Sequence, residues 1–577
     1  MFDLTPEKER LLGTDGNLLV VGGPGSGKTT IALLKARHEI LNAALKPGQK
    51  VLFLSFARAT ITRVEEQLKN VDIDKETKKC LEINTYHGFL WEILKSHGYL
   101  ISNFRRLTLL PPPDAASRLV EIDDKESEKR RLFHEEGLVH FDLFADLCAA
   151  LLTESCSLCK LICDRFPIII LDEFQDTNSS EWEFIRTLGQ HSRIIALADA
   201  EQRIYEFRGA DPARISEYIK EFTPTTFDFG TENNRSNGTD IVQCGNDLLR
   251  GTIDRNAYND VQCVLYTPFR GQSPHLQMKT EVLSALGRLN KEDSDWSLAI
   301  LVPTKSLMLQ VSDFLSSRQT FNGGRIYPEI KHEVALDQDA LSLSAILIAG
   351  IMEQGDPDLE MIDRLVGHLN DYVRGRKGGA EKMSQKSAAI SQALAIYLDS
   401  RVLRREKATI QECCRIAREC STLTFSGSPA EDWLAVRNVI TASTCDTFMQ
   451  LGQDAKYLKL LHKGSALQAG LSSLWRAQGN YIGAVNLVRN ALLQEHFSKV
   501  TKVWNGVQVM TIHKAKGKEF DEVIIYEGIH RDRIVRMRDR TERDLQRSRI
   551  LLRVAVTRAM KRATILTPSF DRCPLLS

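Results

Sequence analysis

The sequence lacks a surplus of charge of either sign: 76 Lys+Arg stand against 75 Asp+Glu, a formal net charge of +1 over 577 residues. Bulk charge therefore gives no ground for nucleic-acid or membrane binding, and any groove for a polyanion has to be local. A long apolar run is also missing. The longest nearly apolar stretch, Ala345 to Met352, falls far short of the roughly 20 residues that span a bilayer, so no membrane association is expected. No apolar secretory segment opens the chain, since MFDLTPEKERLL mixes acidic and basic residues, and a cytoplasmic protein is expected. Internal repeats and long low-complexity tracts are absent too. What is present is a globular composition, 43% hydrophobic and 26% charged. At about 150 residues per domain the length predicts roughly four structural units.

The twelve cysteines are then expected to be thiols. Cys156, Cys159 and Cys163 have spacing that could supply three metal ligands, with Cys148 upstream as a fourth. The same offsets put them on one face of a helix among Leu151, Leu152, Leu158, Leu161 and Ile162, where cysteine acts as a small hydrophobe. The periodicity favours the helix.

From Gly16 the chain reads as a short apolar strand, a glycine-rich turn and a helix with apolar positions at three and four. Apolar strands recur at KVLFLSFA from Lys50, FPIIILDEFQD from Phe166 and SRIIALAD from Ser192. Alternation of such strands with helices predicts an α/β fold with parallel sheets covered on both faces. A second alternating set starts near Ser297 (SLAILVPT) and returns at VQVMTIHKAKG and DEVIIYEG. Residues 1–90 and 166–270 are therefore expected to form a first α/β domain, and 271–352 with 501–577 a second. The charged stretch 91–165, broken by Pro111, Pro112 and Pro113, and the strand-poor stretch 353–500 read as mainly helical insertions. The basic turn Arg374 to Lys382 could touch nucleic acid, although a solvated loop suits it better.

Gly22-Gly23-Pro24-Gly25-Ser26-Gly27-Lys28-Thr29 satisfies G-x-x-x-x-G-K-[ST] between a buried strand and a helix. Glycines let backbone N–H groups wrap phosphate oxygens, and the helix N-terminus favours a polyanion. Lys28 is expected to reach the β- and γ-phosphates, and the Thr29 hydroxyl to ligate magnesium. At the exit of a fully apolar strand, Asp172 can hold magnesium and Glu173 can orient and deprotonate the attacking water.

At this point the residues resemble superfamily 1 helicases of the UvrD/Rep/PcrA type, in an ordered series over nearly the whole chain. After the phosphate loop, LSFARAT (Leu54 to Thr60) resembles motif Ia and TYHGF (Thr85 to Phe89) motif Ib. DEFQD, then ALADAEQRIYEFRGA (Ala196 to Ala210), TENNRS (Thr231 to Ser236), TIHKAKGKEFDEV (Thr511 to Val523) and VAVTRA (Val554 to Ala559) resemble the later motifs of the series. The resemblance implies two RecA-like parallel-sheet domains, each with a mainly helical insertion, and an ATP- and Mg2+-dependent helicase or translocase moving 3′ to 5′ on single-stranded and tailed duplex DNA. It implies Gln202 as a γ-phosphate sensor, Arg235 and Arg558 as arginines on the γ-phosphoryl group, and Thr30 and Glu519 as further nucleotide contacts. Phe56 and Phe207 are implied as stacking platforms for bases, with core packing as the other reading of each, and Thr85, His87 and His513 as backbone-phosphate contacts.

Departures from the family pattern are Lys8 where an adenine-reading glutamine is usual, Ala198, Asn234, Lys518 and Arg553. Only 19 residues follow Arg558, so any cutting is expected to come from a separate nuclease subunit. Compact chains of this kind resemble helicase subunits of DNA repair and anti-phage defence. The alternative expectation is a DNA- or nucleotide-sensing ATPase that regulates such a nuclease and unwinds little.

Overall fold

The computed structural model describes the chain apart from residues 1–4, 24, 43–44, 57–63, 65–74, 105, 200–212, 231–237, 254–257, 268–272, 293–294, 321–325, 336–337, 355–359, 377–382, 401–407, 457–465, 498–503, 536–540 and 577. It forms two compact units: residues 1–92, 145–336 and 499–577 make the first, and 93–144 with 337–498 the second.

The first unit contains two six-stranded sheets. Strands β1 (Leu18–Val21), β2 (Val51–Ser55), β3 (Leu81–Thr85), β4 (Ile168–Leu171), β5 (Arg193–Ala198) and β6 (Thr225–Asp228) run in the order β3-β2-β4-β5-β1-β6. Every pairing is parallel. All residues of β2 and β4 are buried, as unbroken apolar strands in a sheet covered on both faces should be. Register brings the strand ends level. Ser55 lies opposite Thr85, Leu54 opposite Leu171, Leu171 opposite Ala196 and Val21 opposite Ala198. Five strands therefore end along one edge, and the segments that leave them carry the phosphate loop, Phe56, Tyr86, Asp172 and Asp199. Parallel sheets bind ligands at that carboxyl edge.

The second sheet comprises β7 (Val261–Tyr266), β8 (Ser297–Val302), β9 (His332–Val334), β10 (Gly506–Thr511), β11 (Phe520–Tyr526) and β12 (Ala559–Pro568), in the order β9-β10-β8-β11-β12-β7. It too is parallel throughout. The changeover between sheets comes earlier than position 270. Val261–Tyr266 pairs with Ala563–Pro568, and Ile241, Cys244 and Leu248 already sit in the core under Val523, Leu552 and Ile565.

In the second unit the two helical insertions pack together. Its core gathers Leu343 to Met352, Leu365, Leu369, Ile416, Trp433, Phe448, Leu471 and Val488. Helix Pro112–Leu119 lies against Glu360–Gly375, where Ser117 Oγ donates to Asp371 Oδ1 at 2.8 Å and Arg374 Nε donates to the Ser117 carbonyl at 2.8 Å. Gly375 permits this approach, because a Cβ there would stand 3.2 Å from the Ser117 nitrogen. The apolar helix Gln338–Met352 belongs to this unit and not to the second sheet, since both its faces are covered by helices.

The first insertion is shorter than 91–165. From Ala145 the chain returns to the first unit, where Cys148 Sγ approaches the Leu90 carbonyl at 3.4 Å and Cys163 Sγ the Leu188 carbonyl at 3.5 Å. All twelve cysteines are free. Cys148, Cys159 and Cys163 are buried, burial pushes all three thiols up, and Cys163 reaches about 12. Cys156 is exposed and Leu161 is 62% exposed. Two of the three spaced cysteines thus act as small hydrophobes while the first faces away, and no metal-holding cluster occurs among the described residues.

Candidate nucleotide and nucleic-acid site

The phosphate loop is shaped by glycine. Gly25 and Gly27 have φ of 78° and 86°, a region that side chains disfavour. A Cβ on Gly22 would meet Ser26 Oγ at 2.7 Å and Phe229 Cβ at 3.1 Å. The loop is pinned where Gly22 N–H donates to the Ala198 carbonyl at 3.3 Å and Gly23 N–H to Gly230 at 3.0 Å. Helix Lys28–Asn42 begins at once after it. Lys28 Nζ donates to the Gly22 and Gly23 carbonyls at 2.6 and 2.9 Å, so the ammonium lies inside the loop. Ser26 is buried, while Thr29 and Thr30 are half-buried in the first helical turn. Pro24 lies outside the described residues.

Across the sheet edge, Asp172 is 4% exposed, and Ser55 Oγ donates to its Oδ2 at 3.2 Å. Burial and the neighbouring Glu173 raise the Asp172 carboxyl, with Lys28 opposing them. Glu173 has φ 54°, a left-handed backbone that costs a non-glycine residue about 1–2 kcal/mol. Burial alone would raise Glu173, but Lys516, Lys28, a hydrogen bond from Gln175 and Arg558 together hold it below the usual carboxylate range. Gln175 Nε2 donates to Glu173 Oε2 at 2.6 Å, and Gln175 Oε1 accepts from the Asp199 amide at 2.9 Å. One buried carboxamide thus joins the Glu173 turn to the residue after β5.

The second sheet supplies cations. Lys516, 3% exposed at the side chain, stands 3.7 Å from Glu173 Oε2 and forms an ion pair with Asp176. Arg558 is 2% exposed, donating to the Val554 carbonyl at 3.0 Å and Lys518 carbonyl at 3.4 Å. Lys28 acts electrostatically on Asp172, and Lys28 and Arg558 both act on Glu173. Sequence reasoning misses Lys516, Gln175 and Ser55. Lys516 carries no signal of its own, because it stands in the charged stretch His513 to Glu519.

Phe56 is half-buried and stacks on Tyr86, with ring centroids 4.1 Å apart and planes at 11°. One face of the ring is thereby engaged. Thr85 Oγ1 accepts from the Gly88 amide at 2.9 Å, capping helix Tyr86–His97. His87 and Glu519 are half-buried and His513 is exposed. Gln202, Phe207 and Arg235 lie outside the described residues. Lys8 is 8% exposed and sits 5.2 Å from the Phe229 ring centroid. Arg553 is 1% exposed and donates to Asn246 Oδ1 at 3.2 Å, which makes it part of a helix interface.

The half-buried Thr29 hydroxyl and the buried Asp172 carboxyl are oxygen donors, the chemistry that a hard divalent cation takes.

Residues 4–133 and 128–223 match the UvrD/REP helicase N-terminal domain, and residues 478–569 match the UvrD-like helicase C-terminal domain. The Bacillus subtilis protein YjcD is 22% identical over 643 residues, covering 98% of this chain and 79% of its own length. ATP-dependent DNA helicase PcrA of Staphylococcus aureus is 21% identical over 626 residues, covering 96% of this chain and 82% of its own. PcrA of Staphylococcus epidermidis is 20% identical, with coverage of 96% and 81%.

Proposed function

The chain belongs to the UvrD/REP helicase family and is an ATP-dependent DNA helicase, and from that premise we propose that it hydrolyses ATP between its two parallel sheets to move 3′ to 5′ along single-stranded DNA. The observation that carries this reading is the meeting of opposite charges from the two sheets, with Lys516 of the loop after β10 at 3.7 Å from Glu173 of the loop after β4. Hydrolysis assembled from two sheets depends on their closure, and closure that tracks the nucleotide is a stepping motion.

Lys28 neutralises the β- and γ-phosphate oxygens from within the glycine loop. Thr29 and Asp172 would hold Mg2+, which when bound supplies charge neutralisation at the same oxygens. Glu173, ionised at neutral pH because of the surrounding cations, orients the attacking water and accepts its proton as the bond forms. Arg558 offers a permanently charged guanidinium to the developing charge from the second sheet. Phe56, on the same edge, presents its outer face to a base, an interaction indifferent to sequence.

The direct test is hydrolysis of ATP by the full chain with and without a dT oligonucleotide, with Lys28→Ala as the control. The reading expects a clear rise with DNA and none in the control. A rate unaffected by DNA counts against it.

A further inference from the structure

Tyr86 opens helix Tyr86–His97 directly after the Thr85 cap and is 1% exposed. Its hydroxyl is buried, with no hydrogen-bond partner among the described residues. Folded proteins seldom leave a buried donor unmade, because the lost hydration is not recovered. Such a group calls for an explanation, and its surroundings supply one.

Two neighbourhoods meet at this side chain. On one side its ring stacks on Phe56. On the other lie the carboxylates of Glu181, Asp172 and Asp176, which together with burial keep the phenol protonated and so a donor. Glu181 is committed to the Asn178 amide at 2.9 Å in a capping box. Asp172 and Asp176 flank Glu173, so of these carboxylates they are the ones through which the phenol can act on that turn. Strand β2 joins the same two neighbourhoods through its backbone. The Leu54 carbonyl accepts from the Asp172 amide at 2.8 Å, Ser55 holds the Asp172 side chain at 3.2 Å, and Phe56 is the next residue.

We propose that Tyr86 is a positioning residue that links strand contact at Phe56 to the hydrolytic turn, its hydroxyl donating to the Asp172–Asp176 segment when a base stacks on the outer face of Phe56. The proposal rests on the reading of Phe56 as a strand contact. Parallel aromatic stacks tolerate offset, so the phenol can slide against Phe56 without leaving its pocket. A base pressing on Phe56 then moves the phenol toward the turn, and the buried hydroxyl gains a partner that it lacks among the described residues.

The test uses Tyr86→Phe in the full chain, which keeps the stack and removes only the hydroxyl. The factor by which a dT oligonucleotide stimulates kcat is expected to fall about tenfold or more, the rate equivalent of one hydrogen bond to a charged group. KM for ATP and oligonucleotide affinity by fluorescence anisotropy should stay within about threefold, a split that a loss of folded protein would not produce. The melting temperature should be equal or higher, since an unpaired buried hydroxyl has been removed. Undiminished stimulation overturns the proposal. So does a fall in melting temperature, because the hydroxyl would then be satisfied in the resting fold. Phe56→Leu separates the underlying reading: weakened oligonucleotide affinity supports it, whereas wild-type affinity removes Phe56 as a strand contact and the link with it.

Discussion

Replacing Lys516 by methionine keeps most of the side-chain volume and deletes the charge that joins the two sheets. The ammonium is 3% exposed and the Asp176 carboxylate 2%, with Glu173 3.7 Å away. At that separation and an effective dielectric near 20, the attraction to Glu173 alone is about 4 kcal/mol before desolvation is subtracted. Breaking a buried pair from one side costs about 3–5 kcal/mol, because a carboxylate is left buried without its counter-charge. For a unit of this size that corresponds to a fall of about 5 °C or more in melting temperature. The sign of the pH dependence comes from Glu173, whose carboxyl is held low in the fold. Its contribution is complete above the unfolded value of about 4.3 and is lost as pH falls through the folded value. The stability gap between wild type and Lys516→Met, monitored by tryptophan fluorescence on heating, should therefore be widest near neutrality and narrow in acid. Lys516→Met combined with Asp176→Asn should recover much of the loss, since both partners are then neutral. A single variant as stable as wild type at pH 7 would refute the reasoning, because the pair would then be solvated.

Lys28→Ala should abolish ATP hydrolysis, measured by phosphate release, as no other side chain in the loop offers a cation to the phosphates. Glu173→Gln should retain nucleotide binding by anisotropy and lose about 100-fold or more in turnover, the scale of a missing general base. Arg558→Ala should leave nucleotide affinity within a modest factor and slow hydrolysis about 1000-fold or more, with an Arg235→Ala double variant hardly worse. A zinc chelator should leave the melting temperature unchanged, since Cys159 and Cys163 are packed as hydrophobes.

Much of the first sheet was legible because β2 and β4 are buried along their whole length, which in a chain that alternates strands and helices means a parallel sheet. The phosphate loop was legible for a different reason, since its glycines and lysine occupy positions that the backbone and the ligand both constrain. Strand β7 was not, because Val261–Tyr266 is an edge strand with only its two ends buried, and its apolar run Cys263 to Tyr266 is only four residues long. The joining of the two insertions was hidden too, as helix periodicity says which face is apolar but not which helix will cover it. Lys516 escaped because lysine in a charged stretch reads as solvent-facing until a carboxylate from another sheet is seen beside it. Tyr86 escaped because a missing hydrogen bond is a property of three-dimensional surroundings.

Strand displacement tests the central claim most directly. A labelled duplex with a 3′ single-stranded tail, a matched duplex with a 5′ tail and a blunt duplex are each incubated with the full chain, Mg2+ and ATP, and the released strand is measured against time. The account predicts ATP-dependent release from the 3′-tailed duplex, little from the other two, and none with Glu173→Gln. Release from the 5′-tailed duplex instead would contradict the direction of movement. DNA-stimulated hydrolysis without release from any substrate would contradict the helicase reading and fit an ATPase that senses DNA on behalf of a separate nuclease.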